Sequence, residues 1–536
     1  MKSLRHYEFS KLLIVPLPRK RSFWFGYRMA YESIRMPIRL GLEGIKKEMR
    51  DVENEHKYGA YGYAAALLIL YWILALIRLD TGRATTWDFG YYTQVLWLIH
   101  EGHWIARSTL NGHWALTDAG SWILYPLGWS YAFLHSSGIL LIQAASLASG
   151  VPFLAWWMHR YPVPRTAFYG ILVLYSVYPA ILGPALFDWH PDTLAIPLFF
   201  YAAWAIETKR VRHFWLACAL IITTKVTAAL VLVGLSAPWL LQRQWKVALA
   251  TGVIGFFTAF FEVDIVFPAL TGHQMSQWAP FYGWLGSSPL AGAWHIVVNP
   301  WILKSVFQGS HLADIVLLGA FVAFIPSLWG LVHGGWAWPG WIILLFNNLS
   351  LFLGQSNPYN QYSLPIAPFW LISLILLWSR LRPRLVMKWI PWGLAVLSMM
   401  EWVQWERPLV WFSHPPAQSL MYALSRIPRY VPVYGQNSTL AMISDRKFIH
   451  LIPLPPRSRL LPGTVVILNQ DVNPVNRLTA PIIVKGTLTR LISDPQHWQI
   501  IAHRGPVWAF QLYPPPRSSS SKVIQVFGHR QIIGWG

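Results

Sequence analysis

The stretch TTWDFGYYTQVLWLIHEGHW, residues 85–104, sets one carboxylate, Asp88, among aromatic rings directly after a long apolar run. Burial among rings is expected to raise the basicity of a carboxylate in that place. Asp118, Asp188 and Asp192 also lie among aromatic and Pro residues. An unpaired charge is costly in such surroundings, so each is expected to be paired or used. Asp80, Glu101 and Asp314 read instead as solvated loop residues. Lys225, within LIITTKVTAALVLVGL, puts an ammonium inside an apolar block. Intramembrane cations are functional candidates, the alternative being a side chain that snorkels to the headgroups. At a break between half-helices, beside freed helix-end amides, a cation suits a phosphate. His100, His103 and His113 with Asp118 could be drawn as a divalent-metal site, but the spacing is loose, so no metal or other cofactor is assigned.

The elements that must position these groups are membrane helices. The chain is 54% hydrophobic and 12% charged, with its apolar residues in long blocks, the signature of a polytopic α-helical membrane protein rather than a barrel. Crossings are expected at about 59–79, 137–158, 166–187, 193–206, 213–223, 226–241, 247–270, 311–331, 335–353, 362–379 and 388–403, eleven in all. Many of the 33 Trp residues sit at block ends, where rings anchor at headgroup level. The lone Cys218 excludes a disulfide framework.

Short loops HRYPVPR (159–165), ETKRVR (207–212), QRQWK (242–246) and RLRPRLVMK carry the Lys and Arg, whereas FDWHPD (187–192) and GQSNPYNQY (354–362) carry none. The second set is therefore expected to face outward, with residues 1–58 a cytoplasmic basic segment of 13 Lys/Arg against 7 Asp/Glu. Within it, residues 22–50 could form a helix lying on the anionic inner leaflet, or a solvated tail. Residues 80–136 form a long first outer loop, whose SWILYPLGWSYAFL portion is too short to span. The segment 213–241, broken by TTKVT, reads as two short helices meeting near the outer face. From 404 onward, Pro-rich punctuation and the runs TVVIL, PIIV and VWAFQLY suggest a small α/β domain with strands at those runs, outside the membrane.

Several motifs, taken in order, carry a resemblance. Asp88-Phe89-Gly90 with Gln94 and Leu96-Trp97, then Asp118 ahead of ILYPLGW, then FDWHPD, then Leu285-Gly286-Ser287-Ser288-Pro289 and Asn360-Gln361-Tyr362 are similar to successive motifs of a family of multipass membrane proteins known as domain of unknown function 2079. The resemblance runs from about residue 60 to 515. That family in turn resembles the GT-C glycosyltransferases, integral membrane enzymes that take sugars from polyprenyl-phosphate carriers. Two departures stand out. Asp118-Ala119 replaces a typical Asp-His, and Lys225-Val226-Thr227 replaces a typical Lys-Glu-Asp. Both remove polar groups beside retained charges, although the Thr-Lys-x-Thr form is itself similar to the matching turn of several GT-C enzymes.

The resemblance implies a GT-C-like membrane domain over 59–403 and sugar transfer from a polyprenyl-phosphate donor to a lipid, glycan or protein acceptor at the outer face of the cell membrane. It implies Asp88 as catalytic base and Asp118 as a second catalytic carboxylate. Lys225, Asp188, His190, Asp192, Gln94, His113, Gln361 and Tyr362 are then expected to contact the donor's phosphate and sugar. Two other readings stay open. Broken helices with charges also mark transporters, though no pair of broken segments recurs in two halves, and the altered motifs suit a non-catalytic scaffold whose outer domain binds envelope polymers.

Overall fold

The computed structural model describes residues 58–161, 163–272, 278–307, 324–381, 387–406, 418–470 and 481–513. The expected N-terminal basic segment, most of the block at 311–331 and most of the RLRPRLVMK loop lie outside these residues. Two compact units divide the chain at Gly59 and Ala60, and the second holds the helical body and the sheet.

Long apolar helices dominate. Tyr58–Asp80 (α1), Tyr131–Arg160 and Trp245–Leu270 are each long and apolar enough to cross a membrane, and Arg165–Val177 with Pro179–Leu186 forms an apolar pair bent by 47°, the shape of a broken span or a re-entrant loop. Shorter apolar helices include Val211–Thr224, Val226–Leu241, Ile366–Arg380 and Ile390–Met400. α1 keeps Ile69, Leu70 and Ile73 exposed, and Trp245–Leu270 keeps Leu249, Val253, Phe257 and Phe261 exposed. Water would penalise both faces; hydrocarbon would not. The bend at Tyr178 is dictated locally, because Pro179 disfavours helical backbone at the residue before it and then starts a new helix. Gly183 in that second half lies so close to the Tyr359 carbonyl that any Cβ would collide with it. This packs the helix that leads into FDWHPD against the NPYNQY loop.

The expected TTKVT break is present: Val211–Thr224 ends at Lys225, whose extended backbone (φ −167°) precedes a 3₁₀ turn at Val226–Ala228 and the helix Ala229–Leu241. The SWILYPLGWSYAFL portion divides differently from its reading as one interfacial piece. Leu124–Trp129 is a separate short helix, and Tyr131 onward joins the following span through a kink at His135 (φ 47°).

The C-terminal region forms a five-stranded sheet in the order β2-β1-β3-β5-β4, with β1 Val433–Gly435, β2 Ile449–Leu451, β3 Val465–Asn469, β4 Trp498–Arg504 and β5 Val507–Leu512. β2, β1 and β3 run parallel, while β5 pairs antiparallel with both β3 and β4. Val465 and Ile467 face one apolar cluster with Leu420 and Ala423, while Val466 and Leu468 face another with Val484 and Leu488. Covered on both faces, β3 reads as an unbroken apolar run, as a central strand should. The expectation for PIIV is overturned. Pro481–Ile492 is a helix, with Val484, Leu488 and Leu491 buried at helical spacing. The window PIIV is too short to separate strand from helix, and only the run to Ile492 exposes the period.

Candidate active site

Three short segments converge on one cavity of about 720 Å³. The first is the π-turn Thr86–Gly90 that links α1 to the helix Tyr91–His100 (α2). Thr85 caps it as the sequence Thr-x-x-Asp allows: the Thr85 hydroxyl accepts from the Asp88 N–H at 3.1 Å. The same hydroxyl donates to Asp188 Oδ2 at 2.6 Å, and the Thr85 N–H donates to that oxygen at 2.9 Å. Arg78, at the end of α1, completes this buried cluster with its Nε 3.5 Å from Asp188 Oδ1.

The second segment is FDWHPD. Pro191 opens a 3₁₀ turn and holds His190 extended, so the His190 N–H donates to Gln143 Oε1 at 3.1 Å. Its ring Nδ1 lies 2.9 Å from the Asp188 carbonyl oxygen and its Nε2 3.5 Å from Asp88 Oδ1. A carbonyl and a carboxylate only accept, so both ring nitrogens face acceptors and the arrangement favours the imidazolium. Burial alone pulls the His190 pKa down, but the hydrogen bond and charge of Asp88, helped by Asp192 and opposed by Lys225, raise it above the ordinary histidine value. Asp88 moves the opposite way. Its burial pushes the carboxyl up, yet His190, Thr85 and Arg78 together hold it below the usual carboxylate range. The expected rise in basicity from burial among rings is therefore corrected: the imidazolium partner outweighs the rings.

The third segment is the Lys225 break. Lys225 Nζ lies 3.1 Å from Asp192 Oδ2 and 4.8 Å from the centre of the Tyr362 ring. The cation does not snorkel. It is held between a carboxylate and an aromatic face at the cavity wall.

Of the residues singled out in the sequence, Asp88, Asp118, His113, His190, Lys225, Gln361 and Tyr362 line the cavity. His113 Nδ1 and Asn111 Nδ2 each lie 3.4 Å from Asp118 Oδ1. Three do not line it. Asp188 is buried behind the π-turn, where Oδ2 accepts from Thr85 and Oδ1 faces the Arg78 guanidinium at 3.5 Å. Asp192 lies behind Lys225, as its counter-ion. Gln94 is consumed structurally: Oε1 accepts from Ser108 and Thr109, and Nε2 donates to Thr109, Arg446 and Lys447. No capacity is left for a ligand. LGSSP is also explained without a ligand, because Ser288 caps the helix Pro289–Val298 and Pro289 occupies its first turn. The drawn metal site is not assembled, since His100 and His103 sit exposed and no group of three or more His, Cys, Asp or Glu gathers among the described residues.

The same cavity is also lined by apolar side chains, Phe256, Phe260, Val263, Leu290, Ala293 and Ile296. Sequence reasoning missed Arg78, Thr85, Asn111 and Gln143. Only Thr85 carried a signal, its capping spacing to Asp88.

The fold is that of a GT-C-type membrane protein. Two structures of ArnT from Cupriavidus metallidurans share it, one in the apo state (TM-score 0.51, 13% identity) and one bound to undecaprenyl phosphate (TM-score 0.50, 15% identity). Each alignment covers 84% of this chain and 98% of ArnT. The chain belongs to the family described as predicted membrane protein (DUF2079), which it matches over residues 78–463. No curated protein matches the sequence.

Proposed function

We propose that the protein is a membrane glycosyltransferase that moves a sugar from a polyprenyl-phosphate carrier to an acceptor hydroxyl on the outer face of the cell membrane. One observation carries the reading: a single cavity is lined both by a carboxylate and a cation, each held by an ion-pair partner, and by a large set of apolar side chains. A lipid phosphate has this same two-sided chemistry, and the ArnT structure with undecaprenyl phosphate shows that a protein of this fold accommodates one. Asp88 takes the acceptor hydroxyl's proton as the sugar–phosphate bond breaks, and Lys225 offsets the charge that collects on the departing phosphate. Asp118 and His113, with Asn111, offer hydrogen bonds to sugar hydroxyls. A transporter would need a path through the molecule, whereas these charges gather around one cavity.

The test is transfer from a synthetic polyprenyl-phosphate sugar by purified protein, followed by mass spectrometry of the products. No transfer with any donor of this class, together with altered solute uptake in a deletion strain, would favour transport instead.

Two further outcomes are expected on this reading. A reporter fused after residue 404 should report an extracytoplasmic position, since the Lys/Arg-bearing short loops all fall on the other side. Cytoplasmic signal there would move the proposed site to the wrong face. His190→Gln removes the group that holds the Asp88 carboxyl low. The carboxyl pKa then rises, so the acid limb of the pH–rate profile should shift to higher pH. An unmoved limb would show that the pair does not set the proton affinity of the base.

A further inference from the structure

In an open sheet with parallel strands, ligands bind beyond the carboxyl ends of those strands, where the strand order reverses. Here the parallel strands β2, β1 and β3 place that position just after β1, whose neighbours lie on either side of it. The segment after β1, Gln436-Asn437-Ser438-Thr439, is polar and yet wholly buried. Gln436 is used within the sheet, since its Nε2 donates to the Asn469 carbonyl at 2.9 Å and its Oε1 accepts from the Asn469 N–H. Thr439 closes the turn by accepting from the Gln436 N–H at 2.9 Å. Asn437 reaches outward instead, to the π-turn that carries Asp88.

The Trp87 N–H donates to Asn437 Oδ1 at 2.9 Å, and the Thr86 N–H donates to the Asn437 carbonyl at 2.5 Å, as does the Thr86 hydroxyl. Two amides immediately before Asp88 are thus held by one residue some 350 positions away in sequence. The fit is close on the other side of Asp88 as well. A Cβ at Gly90 would lie 2.6 Å from Ser444 Oγ, so only glycine lets the turn enter this recess. Thr109 fastens the same region from the flank, donating to the Ile449 carbonyl at 2.7 Å and accepting its N–H at 3.0 Å.

We propose that the crevice at the carboxyl edge of the C-terminal sheet takes the Asp88 turn in place of a soluble ligand, and that Asn437 is a positioning residue for Asp88. Asn437 does not line the cavity. It acts through the backbone at Thr86 and Trp87, which fixes where the Asp88 carboxylate stands relative to His190. This assignment rests on the transfer reading for its catalytic consequence, but not for its geometry.

The experiment is hydrogen exchange on the full-length purified protein, comparing Asn437→Ala with Asn437→Asp, which keeps the shape and an acceptor oxygen for the Trp87 N–H. In Asn437→Ala, exchange over residues 86–88 should quicken about tenfold, the effect of losing one hydrogen bond, while β3 at 465–469 stays protected. Asn437→Asp should exchange as wild type. Unchanged exchange at 86–88 in Asn437→Ala would overturn the proposal. If β3 loosens in Asn437→Ala, Asn437→Asp decides: protection at both places supports positioning, and loss at either refutes it in favour of a folding role. With a polyprenyl-phosphate sugar, Asn437→Ala should lower kcat and leave the donor KM in place; a raised KM with unchanged kcat would refute the link to Asp88. Wild-type protein that turns over no such donor would remove the transfer reading alone, because the exchange comparison stands without turnover.

Discussion

Asp88→Asn should stop sugar transfer while leaving the protein folded and inserted. The amide keeps the shape of the carboxyl but cannot accept a proton at neutral pH, and a positioned general base contributes about a hundred- to ten-thousand-fold in rate. The supports of the turn do not depend on the Asp88 charge. Thr85 remains held by Asp188, and Thr86 and Trp87 remain held by Asn437. The donor KM should therefore change little, which separates lost chemistry from lost binding. His190 loses its counter-charge in the variant, so its pKa should fall. Purified Asp88→Asn protein that built product at the wild-type rate would reduce the turn to an aromatic anchor.

Lys225→Met should instead act on donor binding. Methionine keeps an apolar stem of similar length at the helix break but removes the counter-charge for the phosphate. A hydrogen bond to a charged group is worth about 1.5–3 kcal/mol, so the donor KM should rise about 10- to 100-fold. The substitution also strands Asp192, whose side chain is only 11% exposed. Stability should fall for that separate reason, because a partner has been removed from a nearly buried ion pair. The double variant Lys225→Met with Asp192→Asn distinguishes the two effects. It should regain thermal stability in detergent and keep the binding defect. Recovery of donor affinity in the double variant would mean that Lys225 serves Asp192 and not a phosphate.

The membrane helices are legible in the sequence because hydrocarbon imposes a simple rule on long segments. The expected block at 59–79 is the helix Tyr58–Asp80, and the TTKVT break falls where Lys225 leaves the helix. The individual charges near the cavity are legible for a related reason: a carboxylate or ammonium beside apolar blocks is too costly to be idle. Sequence does not say which way each side chain points. Asp188 and His190 are two residues apart, yet one is sealed behind the π-turn and the other faces the cavity. Gln94 reads as a ligand contact because it is polar on an apolar helix, but its amide is saturated by backbone and hydroxyl groups, two of them in a segment more than 350 residues away. Asn437 carries no signal at all, since a polar residue after a short strand reads as an ordinary turn. Long-range pairing decides each of these, and no local pattern encodes it.

That pairing also sets a clock. Asp88 emerges early in synthesis, but the residue that fixes its turn is made 349 positions later (437 − 88). At a synthesis rate of about 5–20 residues per second, the turn waits roughly 20–70 s for its partner, and then for the parallel strands to pair. During that interval the first helices are made and the charged groups around the turn exist, but the geometry that fixes Asp88 does not. A chain stopped anywhere between Lys225 and β1 carries every charged cavity residue and no finished site, so competence arrives only when the last domain has folded onto the first loop.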